Sequence, residues 1–286
     1  MIDVREVGPR DGLQAEEPLT VEQRVTFINR LIAAGVTHLE IASFMRDDRV
    51  PAMAGAEQVV SGVPPQPGVI RTGLVANSKG VIRALECGVD EISVTVSLSE
   101  TYSQKNTGKS RAEALQTTGE IVELIAGKTP IDVVISCAFG SPYSDVSMQK
   151  DLPKFVGELE SGGCNHITLA DTTGVATPRL IREAIAIVGS EVGLHLHETR
   201  GTGLANAIAG LDAGVRRFDT SIGGIGGSPF ADGAAGNLAT EALVYVLQDA
   251  GYETSINLEK LLAVTPLLEQ MIGHSLPSAL ARLQSP

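Results

Sequence analysis

His195 and His197 sit one residue apart in the run Leu194-His195-Leu196-His197-Glu198, and they are two of the five histidines in a chain of 286 residues. In an extended strand, residues two apart project to the same side, so both imidazoles can reach one ion. An isolated pair of this kind is more often two satisfied core or surface histidines. Here a carboxylate and an amide are available at other predicted strand ends: Asp11 in Gly8-Pro9-Arg10-Asp11-Gly12, and Asn237 after a glycine-rich run. Imidazole, carboxylate and amide donors without thiolate suit Mg2+ or Mn2+ better than Zn2+. Water or substrate would fill the remaining positions, as a catalytic ion requires. Arg10 beside Asp11 reads either as a surface ion pair of little worth or as a guanidinium placed to stabilise an enolate oxygen.

Such residues need a scaffold that gathers strand ends on one rim. Short runs rich in β-branched residues, at 3–7, 38–43, 69–76, 91–97, 132–138, 166–171, 192–197 and 216–222, alternate with helical periodicity such as 21–34 and 111–126. Strand–helix alternation predicts a parallel sheet, and eight units predict closure into a (β/α)8 TIM barrel. A weak repeat supports this: AAGVTHLEIA, ECGVDEISVT, SGGCNHITLA and DAGVRRFDTS each place a glycine before a strand. Gly35, Gly88, Gly163 and Gly214 are then helix-terminating corners. An open doubly wound sheet is the competing fold, but 8–12 lacks its glycine fingerprint. The expectation is one TIM-barrel catalytic domain over 1–286, with extra C-terminal helices in 236–286 packed on the barrel and covering one end. Catalytic groups of such barrels sit at the C-terminal strand ends. That singles out 8–14, Glu40 and Ser43, Asp171-Thr172-Thr173, and 194–198. The run Gly223-Gly224-Ile225-Gly226-Gly227-Ser228-Pro229 suits a loop that closes over substrate and presents Ser228, or is only a flexible turn; it lacks the ending of a P-loop.

Composition narrows the chemistry further. A formal charge of −12 repels phosphate backbones, and 3% aromatics without tryptophan provide no stacking platform, so nucleic acid is not an expected partner. Cys87, Cys137 and Cys164 are odd in number and lack CxxC spacing, which reads as reduced thiols. No targeting segment and no run of membrane-spanning length is visible, so the expected location is the cytoplasm and no membrane partner is expected.

Taken together, the motifs resemble the family of metal-dependent Claisen-type lyases and condensing enzymes typified by hydroxymethylglutaryl-CoA lyase. The resemblance rests on EVGPRDGLQAE (6–16), LEIASF (39–44), VPAMAGAEQV (50–59), VSLSETYSQKNTGKS (96–110), ISCAFGSPY (135–143), LADTTGVATP (169–178), HLHETRGTGLANA (195–207) and GGIGGSPFADGAAGN (223–237). It implies a divalent cation, Mg2+ or Mn2+, on Asp11, His195, His197 and Asn237. Arg10 would stabilise the enolate of departing acetyl-CoA, and Gln14, Glu40 and Thr172 would shape the acyl site. It implies catalytic roles for Arg10, Asp11, His195 and, where the family has a cysteine, Ser228. The implied reaction is cleavage of 3-hydroxy-3-methylglutaryl-CoA, an acyl-CoA, to acetyl-CoA and acetoacetate. The expected assembly, on resemblance alone, is a homodimer or higher homo-oligomer.

Two positions depart from the family. Ser228 is a poorer acid and nucleophile than cysteine. Arg200 adds positive charge in His-Leu-His-Glu198-Thr199-Arg200 and could favour a differently charged acyl group. A citramalyl-CoA or longer-chain substrate, a condensing synthase of the isopropylmalate or homocitrate type, and a non-catalytic metal- or CoA-binding homologue are the alternatives. Lys105 and Lys109 are candidate CoA contacts, with a solvated loop as the equally plain reading.

Overall fold

The structure is a computed structural model that describes residues 1–227 and 236–283. Eight strands, β1 (Asp3–Glu6), β2 (His38–Ser43), β3 (Ile70–Val75), β4 (Glu91–Ser97), β5 (Ile131–Ser136), β6 (His166–Ala170), β7 (Gly193–His195) and β8 (Arg217–Thr220), pair in parallel and in sequence order. Pairing of β1 with β8 closes the ring, which settles the choice against an open sheet. Around it run α1 (Val21–Ala33), α2 (Ala56–Gly62), α3 (Ser78–Cys87), α4 (Glu100–Thr107), α5 (Arg111–Ile125), α6 (Met148–Ser161), α7 (Pro178–Val188) and α8 (Gly203–Asp212). Their starts are locally encoded. Thr20 and Ser110 form reciprocal capping boxes with Gln23 and Glu113, each satisfying backbone N–H groups that a helix start leaves open. The four glycine corners all have positive φ, and at Gly88 the left-handed residue is the C-cap of α3.

The strands do not read as uniformly apolar, and the structure shows why. Outward residues such as Ile92, Val94, Val133, Ile135, Leu169, Leu194 and Phe218 are buried against the helices and make the main core. Inward residues toward the N-terminal ends of the strands are polar. Arg5 reaches Asp219 with Nε at 2.8 Å and Nη2 at 2.7 Å, and Asp132 with Nη1 at 2.6 Å. His38 and Thr72 meet the same Glu91 carboxylate, at 3.1 and 3.0 Å. Buried charges persist only when paired and hydrogen-bonded, and here the partners come both from neighbouring strands and from across the barrel. The barrel interior is thus an ionic floor beneath the C-terminal rim.

After β8 the chain continues as α9 (Thr240–Asp249), α10 (Leu258–Leu262) and α11 (Thr265–Ile272). α9 packs beside α8 and occupies the place of the eighth barrel helix. The rest packs against α9 and α1. At the lower end Asn257 N–H bonds the carbonyl of Ala34, and at the upper rim Ser278 N–H bonds that of Gly223. Among the described residues, no helix is long and apolar enough to cross a membrane.

Candidate active site

The turn after β1 is wound as a single π-helical turn over Gly8–Gly12. The N–H groups of Arg10, Asp11 and Gly12 all point at the carbonyl of Val7, at 3.1, 2.7 and 3.2 Å. This winding turns both Arg10 and Asp11 inward over the barrel mouth; such single π turns recur at functional sites. On β2 the pairing with β3 slips between Glu40 and Ala42. A bulge of this kind re-aims a side chain, and Glu40 meets Arg10 Nε at 2.6 Å. Arg10 Nη1 donates to Asp11 Oδ1 at 2.8 Å. The guanidinium is therefore clamped between two carboxylates.

β7 brings His195 and His197 to the same rim, with their Nε2 atoms 3.2 Å apart. The register of β7 on β8 sets Asp219 beside His195, and its Oδ2 lies 3.1 Å from Nδ1. With Nδ1–H held by a carboxylate, Nε2 is the nitrogen left with a lone pair. Asn237 arrives by another route. Residues 236–239 thread between the ends of β7 and β8, with bridges His197–Asn237 and Ser221–Ala239. Its Nδ2 donates to Asp11 Oδ2 at 2.9 Å and to the Ile225 carbonyl at 3.1 Å. Its Oδ1 is buried without a hydrogen-bond partner among the described residues.

Electrostatics follow from these contacts. Burial disfavours the charged form of Asp11, but Arg10 and the two imidazoles outweigh it and hold the carboxyl below its ordinary range. Burial, aided by repulsion from His195, pushes His197 down to about 4, so it is a neutral donor at pH 7. Burial opposes the cationic form of His195, yet Asp219 and Asp11 raise it above the ordinary imidazole value. Asp11, His195 and His197 offer ligand atoms all within 4.8 Å of one another. A carboxylate, two imidazoles and an unsatisfied amide oxygen form a donor set that fits a divalent cation.

Arg10, Asp11, Gln14, Glu40, Thr172, His195 and His197 all line one cavity of about 1140 Å3. Asn237 joins them through Asp11. Ser228 lies outside the described residues, although Gly227 just before it lines the cavity. Lys105 and Lys109 also line it near the mouth, as does Arg49, which the sequence motifs did not single out. Arg200 does not act as expected: its Nη1 donates to the carbonyls of Thr173 and Gly174, at 2.9 and 2.7 Å. Its charge ties down the loop after β6 instead of facing an acyl group. Asp219 and Arg5 were missed because they stand within strands rather than at their ends. The signal available was an acidic residue two places after Arg217 and two before Ser221, in register with an inward face.

Gly236 shows how tightly Asn237 is placed. A Cβ there would overlap the carbonyl oxygen of Gly224, which is backbone and cannot swing away. Gly236→Ala should therefore displace Asn237 and weaken Mn2+ binding about tenfold or more, on the scale of perturbed ligand support. Titration calorimetry of the purified variant checks this; unchanged affinity would remove Asn237 from the donor set.

The family model described as HMGL-like matches residues 1–268. The hydroxymethylglutaryl-CoA lyase YngG of Bacillus subtilis is 36% identical over 289 residues, covering 97% of this chain and 95% of that protein. The 3-hydroxy-3-isohexenylglutaryl-CoA/hydroxy-methylglutaryl-CoA lyase of Pseudomonas aeruginosa is 36% identical over 284 residues, covering 97% and 95%. An HMG-CoA lyase from Acinetobacter baumannii, solved with coenzyme A and 3-methylmalate, superposes with a TM-score of 0.94 at 35% identity, covering 100% of this chain and 95% of that one.

Proposed function

The chain belongs to the HMGL-like family and is a carbon–carbon lyase, and from that premise we propose that it cleaves 3-hydroxy-3-methylglutaryl-CoA to acetyl-CoA and acetoacetate, with Mg2+ or Mn2+ held by Asp11, His195, His197 and Asn237. The observation that carries this reading is the Asp11–His195–His197 cluster set directly beside the clamped guanidinium of Arg10. A bound divalent cation supplies Lewis acidity to the tertiary hydroxyl and a counter-charge to the substrate carboxylate.

The chain's own groups do the rest. Loss of the hydroxyl proton lets the bond between C2 and C3 break, and its electron pair passes into the thioester as an enolate. Arg10 uses Nε and Nη2 on Glu40 and one N–H of Nη1 on Asp11, which leaves one further N–H on each of Nη1 and Nη2 to bind the enolate oxygen. Arg10 is buried, so this charge pairing acts in a low dielectric where it is strong and needs no reorganisation. Gln14, Glu40 and Thr172 border the acyl portion. Lys105, Lys109 and Arg49 put positive charge at the mouth of a chain of net charge −12, which suits the phosphates of a coenzyme A tail.

The test is turnover. With Mg2+ or Mn2+ the purified protein should convert hydroxymethylglutaryl-CoA to acetyl-CoA and acetoacetate in equal amounts, and excess EDTA should abolish this. Acetoacetate is read by NADH oxidation with 3-hydroxybutyrate dehydrogenase. Release of free CoA thiol from acetyl-CoA and an α-keto acid, without cleavage of hydroxymethylglutaryl-CoA, would instead establish a synthase.

A further inference from the structure

The mouth of the cavity is edged on one side by α4, which brings Gln104, Lys105 and Asn106 to its lining, with Lys109 just beyond the helix. α4 cannot hold itself there. It has eight residues, and a helix that short is not stable alone in water. Only Tyr102 and Ser103 of it are buried, so packing anchors one turn and leaves the rest at the surface.

What fixes α4 is the loop after β5. Ser99 is the helix N-cap, and its hydroxyl accepts the N–H of Tyr102 at 3.0 Å. The same hydroxyl donates to the Asp145 carboxylate at 2.8 Å and accepts from Ser141 Oγ at 3.1 Å. A hydroxyl has one proton and two lone pairs, so its capacity is fully used. Asp145 Oδ2 also accepts the N–H of Thr101 at 2.9 Å, which sets a carboxylate on the positive end of the helix. Further along, Lys105 Nζ stands 4.8 Å from the ring centre of Tyr143, a cation–π contact. The loop thus grips α4 at its start and at a lysine that lines the cavity.

The loop is shaped for this grip. Ser144 N–H bonds the Ser141 carbonyl at 3.3 Å, and Ser144 has a φ of 54°. A left-handed residue other than glycine is costly and persists where its surroundings enforce it. Here it turns the chain so that the next residue, Asp145, reaches α4. Neither Tyr143 nor Asp145 borders the cavity. Both lysines are held by uncharged groups, Lys105 by a ring and Lys109 by the Thr117 hydroxyl at 2.8 Å. Their positive charge therefore stays available to an anion.

Resting on the proposed lyase reading, we propose that Asp145 and Tyr143 are positioning residues for thioester recognition, holding α4 so that Lys105 meets the phosphates of the coenzyme A tail. Neither touches the reacting atoms. Their loss weakens binding of the tail in ground state and transition state alike, which raises KM and leaves kcat in place.

Turnover of hydroxymethylglutaryl-CoA at saturating Mn2+, and calorimetric binding of free coenzyme A and of Mn2+, test this on wild type and variants. Asp145→Ala should raise KM and the Kd for coenzyme A about tenfold, the scale of a lost helix cap, with kcat within about twofold and Mn2+ affinity unchanged. Asp145→Asn keeps an acceptor oxygen and should return to within about threefold of wild type. Tyr143→Leu should raise KM about threefold. In a Lys105→Ala background it should have no further effect, because no cation is left to hold. If Asp145→Ala does not fold, the pair of exposed Lys105 and half-buried Tyr143 carries the comparison. Unchanged KM and coenzyme A affinity, parallel losses of kcat and Mn2+ affinity, or additive effects of Tyr143→Leu and Lys105→Ala overturn this inference alone. Wild type that cleaves no hydroxymethylglutaryl-CoA overturns the lyase reading, while the coenzyme A titrations still decide this inference; wild type that binds no coenzyme A overturns it.

Discussion

Arg10→Met should lower kcat by about a thousandfold while leaving the KM for the thioester within a few-fold. Removing one preorganised donor from an oxyanion costs about 100- to 1000-fold, and a full charge in a buried setting falls at the upper end. The interaction grows as the thioester oxygen becomes an enolate, so the loss belongs to the transition state and appears in kcat. A competing explanation must be separated from this one. Arg10 neutralises Glu40, whose carboxyl is already raised by burial against the pull of Arg10, and removing one partner of a buried pair destabilises by about 3–5 kcal/mol. Arg10→Met with Glu40→Gln removes both charges and should restore thermal stability without restoring rate. Arg10→Lys should recover little, because an ammonium cannot bond Glu40 and Asp11 while still facing substrate. A single variant with near-normal kcat would exclude the guanidinium from the chemistry.

The sequence displayed part of this arrangement directly. The eight strands stand out because each is bounded by a glycine corner or a polar turn, and parallel pairing in sequence order follows from the helices between them. His195 and His197 were legible because alternation alone puts them on one side. Asp219 was not, since its relation to His195 depends on the register between β7 and β8, which no local pattern encodes. Arg5 is harder still: its partners Asp132 and Asp219 come from β5 and β8, far apart in sequence. Arg200 shows the opposite failure. Its position two residues past Glu198 correctly put a charge near the rim, but only the path of the loop after β6 reveals that carbonyls of Thr173 and Gly174 absorb it. The π turn at Gly8–Gly12 was equally hidden, because its shape is set by one carbonyl receiving three N–H groups.

His197→Ala and Asp219→Asn should separate a ligand from the group that aims a ligand. His197 is neutral at pH 7, its Nε2 faces that of His195, and losing it removes one of three clustered donors. Mn2+ affinity should fall by about a thousandfold and lyase turnover should drop below detection at ordinary metal concentrations, since an active-site ion supplies several kcal/mol of transition-state stabilisation. Asp219 touches no substrate in this scheme. Arg5 keeps its carboxylate ionised against burial, well below the ordinary range, and that carboxylate fixes the proton of His195 on Nδ1. An amide in its place can present N–H to Nδ1 and so turn the tautomer over, leaving Nε2 protonated and unable to bind an ion. The expected cost is about 10- to 100-fold in Mn2+ affinity, with saturating Mn2+ recovering most of the lost turnover. High metal should not rescue His197→Ala to the same degree, because there the donor itself is gone. Equal rescue of both variants, read as rate against Mn2+ concentration, would mean that Asp219 serves only the ionic floor and not the orientation of His195.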